Sequence, residues 1–398
     1  MWEMSKRTEW VIVSLLSVGI GLVVGAVDTL FGRVLLAITE FRQEHFIYLI
    51  PFLAPVGMLF IYLFLTYGKT SSQGMGLIFQ AGQDGKSTIP KRLTPFVIVG
   101  TWLTHLFGGS AGREGVAVQL GAAIAHQVSR FFKKMESTQF IVIGMAAGFG
   151  GLFETPIAAT FFAIEVLVVG KLRYESFFPA LVAAMTASWV SASLGLEKFS
   201  FALTTAIELD YLTLGKLILL GAVFSLVGML FARSLKQMKT FFAAKITNPI
   251  LRIGVGGLLL SILLFLLMNG RYSGLGTNLI NLSFQEGPIY SYDWLLKLLL
   301  TILTISVGFQ GGEVTPLFAI GASLGALLAP FVGLPVGVVA ALGYVAVFAS
   351  ATNTLLAPIF IGGEVFGFAY LPYFVIVCSL AFALNGNESI YGKQQILE

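Results

Sequence analysis

Charge is scarce in this chain. Asp, Glu, Lys and Arg supply 11% of its 398 residues, where an ordinary soluble domain carries about a quarter. That deficit excludes a surface facing water on all sides. Cysteine is scarcer still: Cys378 is the only one, which excludes an intramolecular disulfide framework and a thiolate metal cluster. A lone thiol inside an apolar stretch reads as a small core residue. His45, His105 and His126 stand at no metal-ligand spacing and no H-E-x-x-H occurs, so each reads as interfacial or packed and no metal or other cofactor is expected. No G-x-S-x-G elbow and no nucleophile and base pair is visible, which counts against an intramembrane enzyme acting on a lipid or peptide. The closest approach to a phosphate loop, "QAGQDGKST" at 80–88, has Gln80 where that motif requires glycine, and reads as a cytoplasmic turn.

Apolar residues fill the chain instead, at 57% with a mean hydropathy of +0.88. Apolar runs recur throughout: Trp10 to Leu36, Phe46 to Leu65, Phe96 to Phe107, Leu212 to Phe231, Ile253 to Met268, Leu295 to Val307 and Val336 to Ala349. Several fall short of the roughly 20 residues that span a bilayer. Most of the 45 glycines and 13 prolines interrupt these runs. Broken helices at membrane depth are tolerated only where protein or a water-filled cavity satisfies the freed backbone, so the pattern favours a transporter or channel over a simple anchor. The net charge of +4 does not imply a nucleic-acid partner. Its basic residues sit in what read as short connections (Lys6-Arg7, Lys86, Lys91-Arg92, Arg130, Lys133-Lys134, Lys236 to Lys245), where they act as cytoplasmic orientation signals. The N-terminus and the 66–95 connection are therefore expected inside. Met1 to Trp10 runs into a span longer than a signal-peptide core with no small-residue cleavage site, so the N-terminus is expected to be retained. Gly21 and Gly25 form a G-x-x-x-G, a motif for close helix packing or for dimerisation.

The chain also repeats itself. "AGREGVAVQLGAAIA" from Ala111 lies over "GGEVTPLFAIGASLG" from Gly311, matching Gly112 with Gly312, Gly121 with Gly321 and Ala122 with Ala322. "GMAAGFGGLFETPIAATFFAIEV" from Gly144 lies over "GYVAVFASATNTLLAPIFIGGEV" from Gly343, and ends on Glu165-Val166 over Glu364-Val365. Both offsets are close to half the chain. Repeated halves with interrupted helices mark secondary-transporter folds, whose sites lie at the repeat interface near the midplane.

Three glycine-rich stretches, 71–80, 108–118 and 308–318, each lead from a loop into a helix-competent run. A helix start exposes unpaired N–H groups and carries about half a positive charge. Several aimed at one spot make an anion site without a cationic side chain, and glycine lets the backbone come close. Within "GGSAGREGVAVQLGAA" (108–123), Arg113 and Glu114 stand side by side among small apolar residues. An ionised Glu114 at such a start is itself an anion, able to occupy the site and, once protonated, to leave it; an ionisable residue at this depth is a functional candidate. The competing reading is a helix cap or a charge pair at the membrane edge.

These residues resemble the CLC family of chloride channels and proton-coupled antiporters. "GREGV" is similar to the family's G-R-E-G-P, "GFGGLFETPIAATFFAIEV" to its A-A-F-N-A-P-L-A-G region, and "GGEVTPLFAIGASLG" to its G-x-F-x-P region. Tyr391 stands where the family keeps a central tyrosine. The resemblance runs through nearly the whole chain in the family's order. Three departures are similar to its fluoride-selective CLC-F branch: Met75 in "QGMGL" where chloride and nitrate carriers have serine or proline, Val116 in place of the motif proline, and Glu313 in Gly312-Glu313-Val314-Thr315-Pro316.

The resemblance implies an all-α membrane protein of two inverted-topology repeats with broken helices meeting at the midplane, divided as 1–204 and 205–398 with no C-terminal regulatory domain. It implies a homodimer in a bacterial plasma membrane that exports cytoplasmic fluoride in exchange for external protons. Glu114 would be the gating glutamate. Gly74, Met75, Gly115, Val116, Glu313, Val314, Thr315 and Tyr391 would bind or line the path of the anion, and Arg113 would orient the loop. Many CLC antiporters keep an inner proton-transfer glutamate at the position of Val166. The proton must then use Glu165, Glu154 or, as the preferred route, Glu114 itself. The alternatives are a chloride/proton antiporter or passive chloride channel of the same fold, and a cation-coupled symporter.

Overall fold

The computed structural model describes residues 6–132, 135–205, 207–285 and 287–397. The Lys133-Lys134 cluster and Met1 to Ser5 lie outside the described residues. The described residues are helical almost throughout. Eight helices come first: α1 (Lys6–Leu49), α2 (Leu53–Gly68), α3 (Met75–Asp84), α4 (Leu93–Leu106), α5 (Glu114–Ser129), α6 (Ser137–Phe153), α7 (Pro156–Glu165) and α8 (Phe177–Ser193). Eight more follow in the same order: α9 (Tyr211–Lys245), α10 (Pro249–Leu266), α11 (Thr277–Phe284), α12 (Asp293–Val307), α13 (Val314–Val332), α14 (Val336–Thr352), α15 (Leu356–Phe366) and α16 (Leu371–Ala383). A two-residue parallel pair, β1 (Val168–Val169) with β2 (Gln395–Ile396), ties the C-terminal segment beneath α7.

Local sequence explains where these helices begin and end. Asp210 accepts from the Thr213 N–H at 2.7 Å and Asn248 from the Ile250 N–H at 2.9 Å, capping α9 and α10. Pro156 and Pro249 open α7 and α10, where a missing N–H costs nothing. Glu154 and Asn353 close α6 and α14 in the same left-handed conformation, each at φ 53°, so Glu154 occupies the position of a helix stop. "QAGQDGKST" ends α3: Gly85 takes φ 63°, and the Asp84 carboxylate accepts from the Lys86 and Ser87 N–H groups at 2.9 and 3.0 Å. It is a turn.

The two halves make the same contacts at equivalent places. A Cβ on Gly121 of α5 would collide with the Gly144 carbonyl of α6, and one on Gly321 of α13 would collide with the Gly343 carbonyl of α14. At the junction of the halves, Gly112 donates to the Gly312 carbonyl at 2.5 Å and Gly312 donates back to Gly112 at 2.8 Å. A bond returned between equivalent residues requires a local two-fold axis through the pair. Glu165, ending α7, accepts from the N–H groups of Leu355, Leu356 and Ala357 at the start of α15, at 2.8 to 3.3 Å. Glu364 in α15 returns the arrangement, accepting from Ile157 and Ala158 at the start of α7 at 3.1 and 2.8 Å. Each half thus caps a helix of the other.

One sequence expectation changes and another narrows. Lys236 to Lys245 is no connection but the last turns of α9, because nothing in "LKQMKTFFAAK" breaks a helix and the basic side chains suit its C-terminal end. Gly21 and Gly25 pack α1 against Ala183, Thr186 and Ala187 of α8 within the chain, the close helix packing that G-x-x-x-G offered. Cys378 is buried in α16.

Candidate functional site

Three helix starts meet beside the Gly112–Gly312 bridge. α3 begins at Met75, α5 at Glu114 and α13 at Val314. Gly74, at φ 53°, turns the chain into α3, a backbone conformation that favours glycine. Between the starts lies a cavity of about 290 Å³, with Gly74, Met75, Gly76, Gly115, Gly312, Glu313 and Tyr391 among its lining. The backbone N–H groups of Met75, Gly76, Gly115 and Val314 have no protein acceptor among the described residues. Unpaired donors at helix starts are what an anion requires.

Tyr391 is 7% exposed. Its ring stacks on Phe79 with centroids 4.9 Å apart and meets Phe162 edge-on at 6.2 Å, which fixes the phenol at the cavity wall. The hydroxyl has no protein partner among the described residues. Met75 supplies an apolar wall. Glu313 lines the cavity and reaches Lys239 of α9 at 3.8 Å. Lys239 and Gln119 also line the cavity, and neither was expected there: Lys239 stands in the basic cluster that reads as an orientation signal, and Gln119, five residues past Glu114, carries no charge to mark it.

Glu114 is 1% exposed and does not line this cavity. One carboxylate oxygen, Oε2, accepts from the Thr315 hydroxyl at 2.5 Å, the Thr315 N–H at 3.1 Å and the Arg113 N–H at 3.2 Å. The other lies 3.8 Å from Arg113 Nε. The carboxylate of the first half is therefore seated on the helix start of the second, in the place of an anion. Arg113, at 8% exposure, faces its own neighbour Glu114. The charge inversion between Arg113 and Glu313 brings no direct pair, since Glu313 turns to Lys239.

The expected anion-binding residues thus divide. Gly74, Met75, Gly115, Glu313 and Tyr391 come together at the cavity. Val116, Val314 and Thr315 are buried beside it without lining it. The Val116 N–H is spent on the Arg113 carbonyl at 3.1 Å, because the first turn of α5 closes on itself. Thr315 gives both its donors to Glu114. Val314 offers only its amide. For the inner proton route, Glu165 is committed to three N–H groups of α15 and Val166 is buried at the end of α7.

Comparison with known proteins agrees with this architecture. The voltage gated chloride channel family matches residues 56–386. The chain is 37% identical over 388 residues, 95% of its length, to a chloride/fluoride channel protein of Pseudomonas syringae pv. tomato, of which 85% is covered. It superimposes on the crystal structure of a CLC-type fluoride/proton antiporter with a TM-score of 0.97 and 57% identity, covering 99% of this chain and all of that one. A slow cyanobacterial Cl⁻/H⁺ antiporter shares the fold at a TM-score of 0.83 and 20% identity, over 95% of this chain and 96% of that one. Among the described residues five helical stretches are long and apolar enough to cross a membrane, and the protein is a multi-pass membrane protein. With a family match over most of its length and a fold shared end to end, the chain belongs to the voltage gated chloride channel, or CLC, family.

Proposed function

We propose that this protein exports fluoride from the cytoplasm in exchange for external protons, across the plasma membrane of a bacterium and as a homodimer. The observation that carries the reading is the seat of Glu114: a carboxylate held by Thr315 at a helix start, next to a cavity whose unpaired donors are backbone N–H groups. The likeness to a chloride/fluoride channel protein of Pseudomonas and to a CLC-type fluoride/proton antiporter supports the choice of ion.

Fluoride holds its water tightly, and a site must return short, strong hydrogen bonds to offset its dehydration. Helix-start amides do so, since hydrogen bonds to a charged acceptor are worth about 1.5–3 kcal/mol each. Met75 beside them lowers the local dielectric and offers no hydroxyl to a larger halide. Tyr391 adds a fixed phenol donor. The carboxylate and the anion compete for the same kind of donors. A protonated Glu114 loses acceptor capacity on its seat, so taking a proton from outside frees it from Thr315 and lets the anion follow. Losing that proton inside returns it. Glu114 carries the proton itself in this scheme, and Glu165 stays a cap. The gating residue then belongs to the half comprising 1–204 and its seat to the half comprising 205–398. HF crosses membranes as a weak acid and ionises inside, so inward proton flow expels the trapped anion.

Proteoliposomes loaded with fluoride or chloride, followed by ion-selective electrode together with external pH, test the reading. Fast fluoride efflux with coupled proton uptake, little chloride flux, and loss of the coupling in Glu114→Gln are expected. Equal chloride flux would instead assign the protein to the chloride carriers, and fluoride efflux without proton movement to the channels. A sodium requirement would mark a symporter.

A further inference from the structure

Another cavity, of about 190 Å³, lies beside the C-terminal end of α1 and the turn that follows α10, the end of α1 away from the Lys6-Arg7 pair that is expected to face the cytoplasm. Arg42, Gln43, Asn269, Arg271, Ser273 and Asn278 supply its polar lining, and no carboxylate lines it.

Its charges do not balance. Arg42 is 3% exposed, donates to the His105 carbonyl at 2.9 Å, and has no carboxylate within ion-pair distance among the described residues. Lys297 of α12 is fully buried, and its ammonium group donates only to neutral oxygens: Ser110 Oγ at 2.9 Å, the Tyr272 carbonyl at 3.2 Å and the Gly274 carbonyl at 2.7 Å. Asp293, one turn before Lys297 in α12, is taken by Arg271 at 2.7 and 3.1 Å and by the Tyr272 hydroxyl at 2.7 Å. Arg42 is thus a buried guanidinium left without a counter-charge among the described residues. Buried charges are normally paired, because an unpaired one carries its full desolvation cost.

We infer that this cavity binds a small inorganic anion, a halide held by the guanidinium of Arg42 with amide donors around it. Its size sets the class: organic ligands occupy pockets of roughly 300–1,000 Å³, whereas a halide with a few waters needs far less. The Asn278 amide is occupied by the Arg271 carbonyl at 2.9 Å, so Gln43 and Asn269 are the amides available to the ion. The site also touches the loop ahead of Glu114. Lys297 holds Ser110 and Gly274, while Gly274 exchanges bonds with Gly109 and Ala111 at 2.9 and 3.2 Å. An anion on Arg42 compensates the charge of the scaffold that positions this loop. Binding here does not depend on transport, although under the proposed export the occupant would be the departing fluoride or external chloride.

Diffraction from crystals grown without halide and soaked in sodium bromide locates the site directly. An anomalous peak is expected in the cavity against Arg42, absent in Arg42→Gln and diminished but present in Arg42→Lys, which keeps the charge without the fork. Addition of excess sodium fluoride in one arm and sodium chloride in another should remove the peak, and the ion effective at lower concentration is the natural occupant. An empty cavity in the native crystals, a peak that survives Arg42→Gln, or bromide that neither ion displaces would overturn the inference. The native soak decides even if the variant fails to fold. Failure of proton coupling in the efflux assay leaves this result untouched.

Discussion

Thr315 is the residue on which the resting position of Glu114 depends, because it supplies two of the three donors that reach one carboxylate oxygen. Replacing it with valine keeps the volume and the amide but removes the hydroxyl. Losing one hydrogen bond to a buried charged acceptor costs about 1.5–3 kcal/mol. Thr315→Val should therefore leave the protein folded while unseating Glu114, so that protons moved per fluoride fall; simultaneous electrode and pH traces give that ratio, and an unchanged ratio would remove Thr315 from the mechanism. The spacing of Glu114 in a glycine-rich helix start was visible in the sequence, as were Met75 and Tyr391. The partner of Glu114 was not, since Thr315 lies about 200 residues away and meets it only through the symmetry of the fold. Thr315 stood among the expected anion ligands, and the structure gives its donors to the carboxylate instead.

At the scale of elements, the starts of α7 and α15 are held by carboxylates from the opposite half. Glu165 faces the N-terminus of α15 through three N–H groups, and a carboxylate at a helix N-terminus is worth up to about 2 kcal/mol when partly buried. Of the two readings of Glu165 that its sequence left open, a proton carrier and a helix-end residue, this position supports the second. Glu165→Gln keeps an oxygen to accept from these amides but cannot carry a proton at neutral pH. We expect a lower melting temperature with proton coupling intact. Loss of coupling in a folded Glu165→Gln protein would make Glu165 the inner relay and end the case for Glu114 as sole carrier. The helix breaks themselves were legible, because glycine-rich entries and proline openings are local signals. The reciprocal caps were not: Glu165 and Glu364 align in the repeat, but alignment does not say that each crosses to the other half.

The whole molecule is organised by the two-fold relation that brings Gly112 against Gly312, and its tightest packing recurs in both halves. Gly121 on Gly144 and Gly321 on Gly343 let α5 close on α6 and α13 close on α14, backbone against backbone. The repeat could be read from these glycines at a common spacing. Their contact partners could not, because only the folded chain sets one helix against the next. No flexible side chain stands in the way that could move aside, so even a methyl group must force each helix pair apart. Overpacking of this kind costs about 1–3 kcal/mol. The position of the helix starts has a further cost: α5 and α13 carry the donors that converge on the anion cavity and on Glu114. Gly121→Ala and Gly321→Ala should lower the melting temperature by similar amounts. Both should slow fluoride efflux more than either changes coupling, because spreading a helix pair displaces the site without altering the carboxylate. If one substitution were harmless and the other severe, the halves would not share the load equally, and the symmetry seen in their contacts would not extend to their energetics.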